Sequence, residues 1–288
     1  MDTKDNALNM RYLAAFQHLT AEKESEMDDI AAFFVPPSNF GTILNEDSVA
    51  VFSERGGGKS ALIAMLEKHD LDEDGEPRHL WVRWRLDAQV DSQLYWLGRF
   101  LDRMASALIE WLAEHPDIAK RASPSVKKIL GAFIKEATFG DADLQIGLWI
   151  GQAEFLAHWI SEAPSWGLIQ MHPEKAIQLV SQALKQLGLE GVLVLVSLNK
   201  YSEGLERDVK NFLSSLPLLE AGDFVIKCFL PMRLLETLGG ATGIRSYRIL
   251  PITLSWNTAA LREIVQCRIR YLMGNAASLE TFTEAHAE

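Results

Sequence analysis

The sequence has very little cysteine, with Cys228 and Cys267 as the only two cysteines among 288 residues. Two cysteines are too few for the disulfide framework that stabilises small secreted domains. Both lie in apolar or helical stretches, so we expect buried free thiols in a reducing compartment. The N-terminal stretch Met1-Asp-Thr-Lys-Asp-Asn also lacks the basic and apolar regions of a secretory signal. We therefore expect a cytoplasmic protein.

Long apolar runs and an excess of positive charge are absent as well. The closest approach to a membrane span, residues 146–160, is too short and carries Gln152, Glu154 and His158. Lysine and arginine number 28 against 39 aspartate and glutamate residues, which gives a formal net charge of −11. We expect no membrane-spanning helix. Overall charge does not attract such a chain to nucleic acid or to an anionic membrane, so net charge gives no support for a nucleic-acid partner.

Apolar residues are abundant, at 48% of the chain, which is enough for a substantial core. Runs of strand length alternate with segments in which apolar residues recur at helical spacing. The strand candidates are residues 49–52, 79–86, 191–196, 224–230 and 244–252. The main helix candidates are residues 60–67, 92–114, 126–136, 173–187, 211–219 and 256–272. This alternation predicts an α/β fold in three layers, with a mostly parallel sheet and helices on both faces.

The strand candidate at residues 79–86 differs from the others because basic residues alternate with apolar ones. This pattern predicts an edge strand or a strand with one exposed face. We interpret Arg83 and Arg85 as solvated residues that discourage aggregation through the edge.

A glycine-rich stretch, Ser53-Glu-Arg-Gly-Gly-Gly-Lys-Ser60, stands between the first strand candidate and the helix that follows it. A loop of this kind turns successive N–H groups inward at a helix N-terminus, where the dipole favours an anion. It matches the phosphate-binding pattern G-x-x-x-x-G-K-[ST], except that Ser53 replaces the first glycine. Serine would weaken the turn if that position required a positive φ. The alternative is a glycine-rich turn with a solvent-exposed lysine.

The pattern assigns a role to individual residues of this loop. Lys59 is placed to reach the terminal phosphates of a nucleotide, and the Ser60 hydroxyl to reach a magnesium ion. We therefore expect ATP and Mg²⁺ as ligands, with the choice between ATP and GTP left open. The candidate nucleotide-binding residues are Ser53, Glu54, Arg55, Gly56, Gly57, Gly58, Lys59, Ser60 and Ala61.

The acidic residue that a P-loop ATPase needs at the end of a second apolar strand is missing. Residues 191–196 form the obvious strand, but Ser197-Leu-Asn-Lys-Tyr-Ser follows it, and Glu203 is the nearest carboxylate. Glu203 is a candidate for orienting the attacking water, or else an exposed loop glutamate. Asp87, after the strand at residues 79–86, is a second candidate. Because positioning and charge neutralisation dominate phosphoryl transfer, we expect nucleotide binding to survive and turnover to be slow or absent.

Arg233 follows the strand candidate at residues 224–230. An arginine at a strand tip is a candidate sensor of the γ-phosphate, and the alternative is a surface or ion-paired arginine. The candidate catalytic residues are therefore Lys59, Glu203 and Arg233.

Together these features resemble bacterial P-loop ATPases of the STAND/AAA-like class with a degenerate Walker B motif. Three stretches carry the resemblance, and the phosphate loop is the specific part. The stretches are Phe33-Phe-Val-Pro-Pro37 with Phe40 and Leu44 leading to residues 53–60, residues 191–196 with Leu198-Asn-Lys200, and Lys227-Cys-Phe-Leu-Pro231 with Leu254-Ser-Trp-Asn257 and residues 261–270. The last of these helices is similar to the one that opens the small helical lid of the class.

The resemblance implies a nucleotide switch in which the ATP state controls assembly or signalling through a protein partner or a homo-oligomer. The expected organisation is an N-terminal helical segment (1–45), a P-loop NTPase core (46–255) with a helical insertion at about 92–187, and a truncated lid (256–288). The alternative is a non-hydrolysing nucleotide-binding scaffold in a larger assembly, which the missing carboxylate favours. A kinase-like phosphotransferase ranks lower, because nothing in the sequence marks an acceptor site.

Overall fold

The computed structural model describes residues 34–45, 47–85, 93–138, 154–198, 205–220 and 222–273. The chain divides into two compact units. The first, which we call the loop unit, comprises Met1–Asn45, Ser53–Asp70 and Thr253–Glu288. The second, the sheet unit, comprises Glu46–Phe52 and Leu71–Ile252.

Strands and helices alternate along the described part of the chain, as the sequence pattern predicts. The strands are β1 (Val49–Ser53), β2 (His79–Arg85), β3 (Gly191–Ser197), β4 (Phe224–Pro231) and β5 (Leu250–Thr253). The helices are α1 (Phe40–Leu44), α2 (Lys59–His69), α3 (Gln93–Glu114), α4 (Pro116–Arg121), α5 (Pro124–Ala137), α6 (Glu154–Glu162), α7 (Leu168–Met171), α8 (Pro173–Gln186), α9 (Leu205–Leu219), α10 (Met232–Thr237), α11 (Gly240–Arg245) and α12 (Thr258–Met273).

The five strands form one parallel sheet in the order β2-β3-β4-β1-β5. In the β2–β3 pair, His79 lies opposite Gly191 and Arg85 opposite Ser197. Every residue of β3 except Ser197 is buried, as expected for a strand inside a parallel sheet. β2 lies at the edge of the sheet, where its alternating pattern placed it. The α/β fold predicted from the alternation of strands and helices is therefore confirmed.

The strand order reverses direction at β1. From β1 the chain passes to β2 at one edge of the sheet, whereas from β4 it crosses β1 to reach β5 at the other edge. Open parallel sheets bind ligands outside the carboxyl ends of their strands, at such a reversal in strand order. The glycine-rich loop follows the carboxyl end of β1.

Aromatic side chains join the sheet to its helices inside the sheet unit. The Trp84 ring of β2 lies 5.7 Å from the Phe100 ring of α3 and 5.8 Å from the Phe212 ring of α9, centroid to centroid. Trp111 is buried in the same core cluster, as its place on the apolar face of α3 predicts. Such rings bury a large apolar area, which makes them major contributors to the stability of this core.

The predicted strand at residues 244–252 is wrong over most of its length. Only Leu250–Thr253 is a strand, whereas Ile244 is a buried residue of α11. The physical reason is a pair of glycines, because Gly239 and Gly240 have φ values of 85° and 65° and start a helical turn there. After α11 the chain turns instead of extending, with Tyr247 N donating to the Ile244 carbonyl oxygen at 3.0 Å and Arg248 at a φ of 58°.

The structure describes only part of the expected N-terminal segment, and it shows the state of both cysteines. Of the N-terminal helical segment expected over residues 1–45, only residues 34–45 are described, and they contain α1. Both cysteines are free, with Cys228 fully buried and Cys267 half-buried. Burial raises the pKa of the Cys228 thiol, which makes it a poor nucleophile. No helix in the described residues is long and apolar enough to cross a membrane.

Candidate functional site

The glycine-rich loop, the candidate phosphate loop, joins β1 to α2 and takes its shape from two of its three glycines. Gly56 and Gly58 have φ values of 78° and 84°, in the left-handed region that other residues adopt only with strain. Gly58 is also the residue that precedes the first turn of α2. The sequence of three glycines therefore produces a sharp strand-to-helix turn, as the motif predicts.

At Gly57, the middle of the three glycines, the constraint is a lack of space for a side chain and not a positive φ. A Cβ on Gly57 would lie 3.0 Å from the Ser53 Cβ, 3.1 Å from the Ser53 Oγ and 3.0 Å from the Glu54 carbonyl oxygen. Ser53 itself lies in β1, is fully buried, and is not among the described residues with a positive φ. The strain considered for a serine at this position therefore does not arise.

The Lys59 side chain folds back onto the start of the loop. Its Nζ donates to the Ser53 Oγ at 2.9 Å, to the Ser53 carbonyl oxygen at 3.3 Å and to the Glu54 carbonyl oxygen at 3.1 Å. The side chain is half-buried, not fully exposed as in the alternative interpretation of the loop. Burial lowers the pKa of Lys59, and the negative charge of Glu54 opposes this effect.

Several N–H groups of the loop have no acceptor within the described residues. Gly57 N donates to the Glu54 carbonyl oxygen at 3.1 Å, and Leu62 N donates to the Gly58 carbonyl oxygen at 3.0 Å. No described acceptor is hydrogen-bonded to the amides of Arg55, Gly56 or Gly58. The first N–H groups of α2 likewise lack intrahelical acceptors, as at any helix start. These donors and the helix dipole give the loop the chemistry of an anion site.

The remaining residues of the loop are distributed between solvent and the start of α2. Glu54 and Arg55 are exposed, while Ser60 and Ala61 are half-buried in the first turn of α2. Ser60 immediately follows Lys59, so a hydroxyl is available beside the lysine.

Other described residues of the loop unit pack against α2. The half-buried Cys267 and Tyr271 of α12 pack with Ala64 and Met65 of α2, together with Phe34 and Phe40. The Trp256 Nε1 donates to the Gly57 carbonyl oxygen at 3.1 Å. Trp256 lies in one of the stretches that carry the resemblance to the STAND/AAA-like class, but the sequence alone predicts no role for it at the loop. The two residues stand 199 positions apart, and no sequence signal joins them.

The other predicted site residues lie in the sheet unit or outside the described residues. Arg233 is exposed on α10, directly after β4 in the sheet unit. Glu203 and Asp87 lie outside the described residues. At the end of β3, Ser197 is half-buried and Leu198 is buried. Within the described parts of the chain, no group of three or more histidine, cysteine, aspartate or glutamate side chains is placed to hold a metal ion.

No protein-family model matches this chain, and neither a curated protein nor a solved structure shows significant similarity to it. The site is therefore argued from its residues and their geometry.

Proposed function

We propose that the protein binds ATP with Mg²⁺ through residues 53–61 and acts as an ATP-dependent switch or regulatory ATPase with weak hydrolysis. The observation that carries the proposal is the half-buried Lys59 ammonium beside a loop in which the amides of Arg55, Gly56 and Gly58 have no described acceptor. A polyphosphate offers acceptors for both the lysine and the amides. The position of the loop after β1, where the strand order reverses, gives independent support.

The residues present fit a magnesium ion only in combination with the nucleotide. Ser60 is the candidate protein ligand, and Mg²⁺ commonly takes its other ligands from phosphate oxygens and water. When bound, the ion would neutralise phosphate charge. The chain itself would supply the Ser60 hydroxyl, the Lys59 charge and the loop amides.

Weak hydrolysis follows from the residues at the end of β3. In the sequence, Ser197 and Asn199 occupy the positions where a P-loop ATPase carries its metal-organising carboxylate, and neither is acidic. Glu203 remains the candidate for orienting water, and Arg233 the candidate γ-phosphate sensor. The same observation favours the second candidate function, a non-hydrolysing nucleotide-binding scaffold. In either case we expect a protein partner or a homo-oligomer to respond to the nucleotide state.

Calorimetric titration with ATP and Mg²⁺ tests nucleotide binding. We expect binding by the wild type and its loss in Lys59→Ala, because the alanine variant lacks the only side-chain cation of the Gly-Lys-Ser motif. Lys68→Ala is the matched control, since Lys68 is an exposed lysine at the other end of α2. The absence of heat from ATP and GTP with the wild type, or equal binding by Lys59→Ala, would refute the proposal.

Phosphate release over several hours separates the two candidate functions. Slow release that Lys59→Ala abolishes supports a weak ATPase. Binding without any release supports the scaffold. A Glu203→Gln variant that releases phosphate at the wild-type rate would remove Glu203 from the catalytic residues.

A further inference from the structure

Trp256 lies against two glycines of the phosphate loop. Its Nε1 donates to the Gly57 carbonyl oxygen at 3.1 Å. A Cβ added to Gly58 would lie 3.5 Å from the Trp256 Cζ2 and 4.0 Å from its Nε1, so the indole covers that side of the glycine. Two separate contacts therefore place the indole on the Gly57–Gly58 peptide.

The segment that carries Trp256 is anchored on both sides. Asn257 caps α12, since its Oδ1 accepts from Ala260 N at 2.8 Å and its carbonyl oxygen accepts from Leu261 N at 3.0 Å. On the other side, Asn39 Nδ2 donates to the Thr253 carbonyl oxygen at 3.3 Å. The indole is thus held against the loop by a segment that is itself fixed, which lowers the entropy cost of the contact.

The hydrogen bond from Trp256 to the Gly57 carbonyl oxygen also fixes the direction of the Gly58 N–H, which belongs to the same peptide group. The described residues contain no cis peptide bond, so the Gly57–Gly58 peptide is trans. In a planar trans peptide the C=O and N–H groups point in opposite directions. Because the Gly57 carbonyl points toward Trp256, the Gly58 N–H points away from it. No described acceptor is hydrogen-bonded to that N–H.

We propose that Trp256 is a positioning residue of the phosphate loop, which holds the Gly57–Gly58 peptide so that the Gly58 N–H donates to a bound polyphosphate. This inference rests on the proposed nucleotide binding. A peptide between two glycines meets little steric resistance to reorientation. Without the tryptophan, the Gly58 N–H would adopt the binding orientation for only a fraction of the time. The apparent affinity for the polyphosphate would then be the intrinsic affinity multiplied by that fraction.

The affinity of the Trp256→Phe variant for ATP with Mg²⁺ tests the inference. Phenylalanine keeps a ring but removes the N–H donor, so we expect binding about two- to tenfold weaker than wild type. Trp111→Phe is the matched control, because the Trp111 Nε1 has no hydrogen-bond partner among the described residues. We expect wild-type affinity from the control. Wild-type affinity in Trp256→Phe would overturn the inference and leave the proposed function standing.

A second measurement on the wild type does not depend on how the variant folds. Among the indole N–H resonances of the 8 tryptophans, the one missing from Trp256→Phe belongs to Trp256. We expect ATP with Mg²⁺ to shift this resonance in the wild type and leave it unchanged in Lys59→Ala. A merely structural tryptophan would lower the melting temperature when replaced but leave the ATP affinity of the folded variant unchanged. If the wild type binds ATP and the resonance does not move, the inference fails; if the wild type binds no nucleotide, the proposed function itself fails.

Discussion

The Lys59 Nζ lies 2.9 Å from the Ser53 Oγ, so the serine that departs from the phosphate-loop pattern also holds the lysine on which the pattern depends. An ammonium group has three N–H donors. In this structure they reach the Ser53 Oγ and the carbonyl oxygens of Ser53 and Glu54. A phosphate must therefore compete with acceptors of the loop itself for the lysine.

We predict that Ser53→Ala increases the affinity for ATP. The substitution removes one acceptor of the free lysine, and a hydrogen bond of this kind contributes about 1 kcal/mol, so a gain of about fivefold is expected. Calorimetric titration in the presence of Mg²⁺ measures the change. Ser215→Ala is the control, because Ser215 is a buried serine that donates to the Asn211 carbonyl oxygen at 2.9 Å, far along the chain from the loop. Unchanged or weaker binding in Ser53→Ala would mean that the hydroxyl serves the nucleotide complex rather than the free loop.

Gly57→Ala should disturb the loop through a clash that depends on Ser53. The new Cβ would lie 3.0 Å from both the Ser53 Cβ and the Glu54 carbonyl oxygen. Overpacking of this kind costs about 1–3 kcal/mol, measured as the free energy of unfolding. Adding Ser53→Gly should recover part of the loss, since the clash with the Glu54 carbonyl remains. A double-mutant cycle measures this coupling.

The control for the Gly57 cycle is Gly41→Ala. Gly41 lies in α1 with nothing within 4 Å of an added Cβ, so we expect no loss of stability there. If the effects of Ser53→Gly and Gly57→Ala simply add, the two side chains do not compete for the same space.

The turn between β1 and α2 and the strands of the sheet could be predicted from the sequence because their signals are local. Three glycines before Lys59 and Ser60 predict the turn between β1 and α2, and apolar runs predict the central strands. The contact between Trp256 and Gly57 could not be predicted from the sequence, because it joins residues 199 positions apart through a single hydrogen bond. The local pattern also failed at residues 244–249, where the apolar residues suited a strand but lie in the end of α11 and in the turn that follows it.

The buried Lys227 predicts a distinctive dependence of stability on pH. Its side chain is 1% exposed in β4, and its Nζ donates to the Asp47 carbonyl oxygen at 2.8 Å. Burial lowers the pKa of Lys227 from 10.5 to about 8, against the opposing charge of Asp47. Between these two values the unfolded chain holds a proton that the folded chain has released, so stability rises with pH across the window.

Lys227→Met should remove this rise. Across the window from about pH 8 to about pH 10.5, the wild type should gain on the order of 3 kcal/mol from this residue relative to the variant. Urea unfolding of both proteins at several pH values measures the difference. Lys128→Met, which replaces an exposed lysine of α5, should follow the wild type throughout. A constant difference between Lys227→Met and wild type would show that the pKa of Lys227 is the same in the folded and unfolded chains.

Ser60 provides the test of the magnesium assignment. If its hydroxyl binds the ion beside the phosphates, ATP should bind more tightly with Mg²⁺ than with a chelator, and Ser60→Ala should reduce that advantage by about tenfold, a typical difference for loss of one charge-assisted oxygen ligand. Ser60→Thr keeps a hydroxyl and remains within the G-K-[ST] pattern, so it should retain the wild-type dependence on Mg²⁺. The comparison isolates the hydroxyl because binding without metal, which depends on Lys59 and the loop amides, should be similar in all three proteins. Equal dependence on Mg²⁺ in Ser60→Ala would place the ion on the nucleotide alone, and the chain would then contribute only the lysine and the amides to the site.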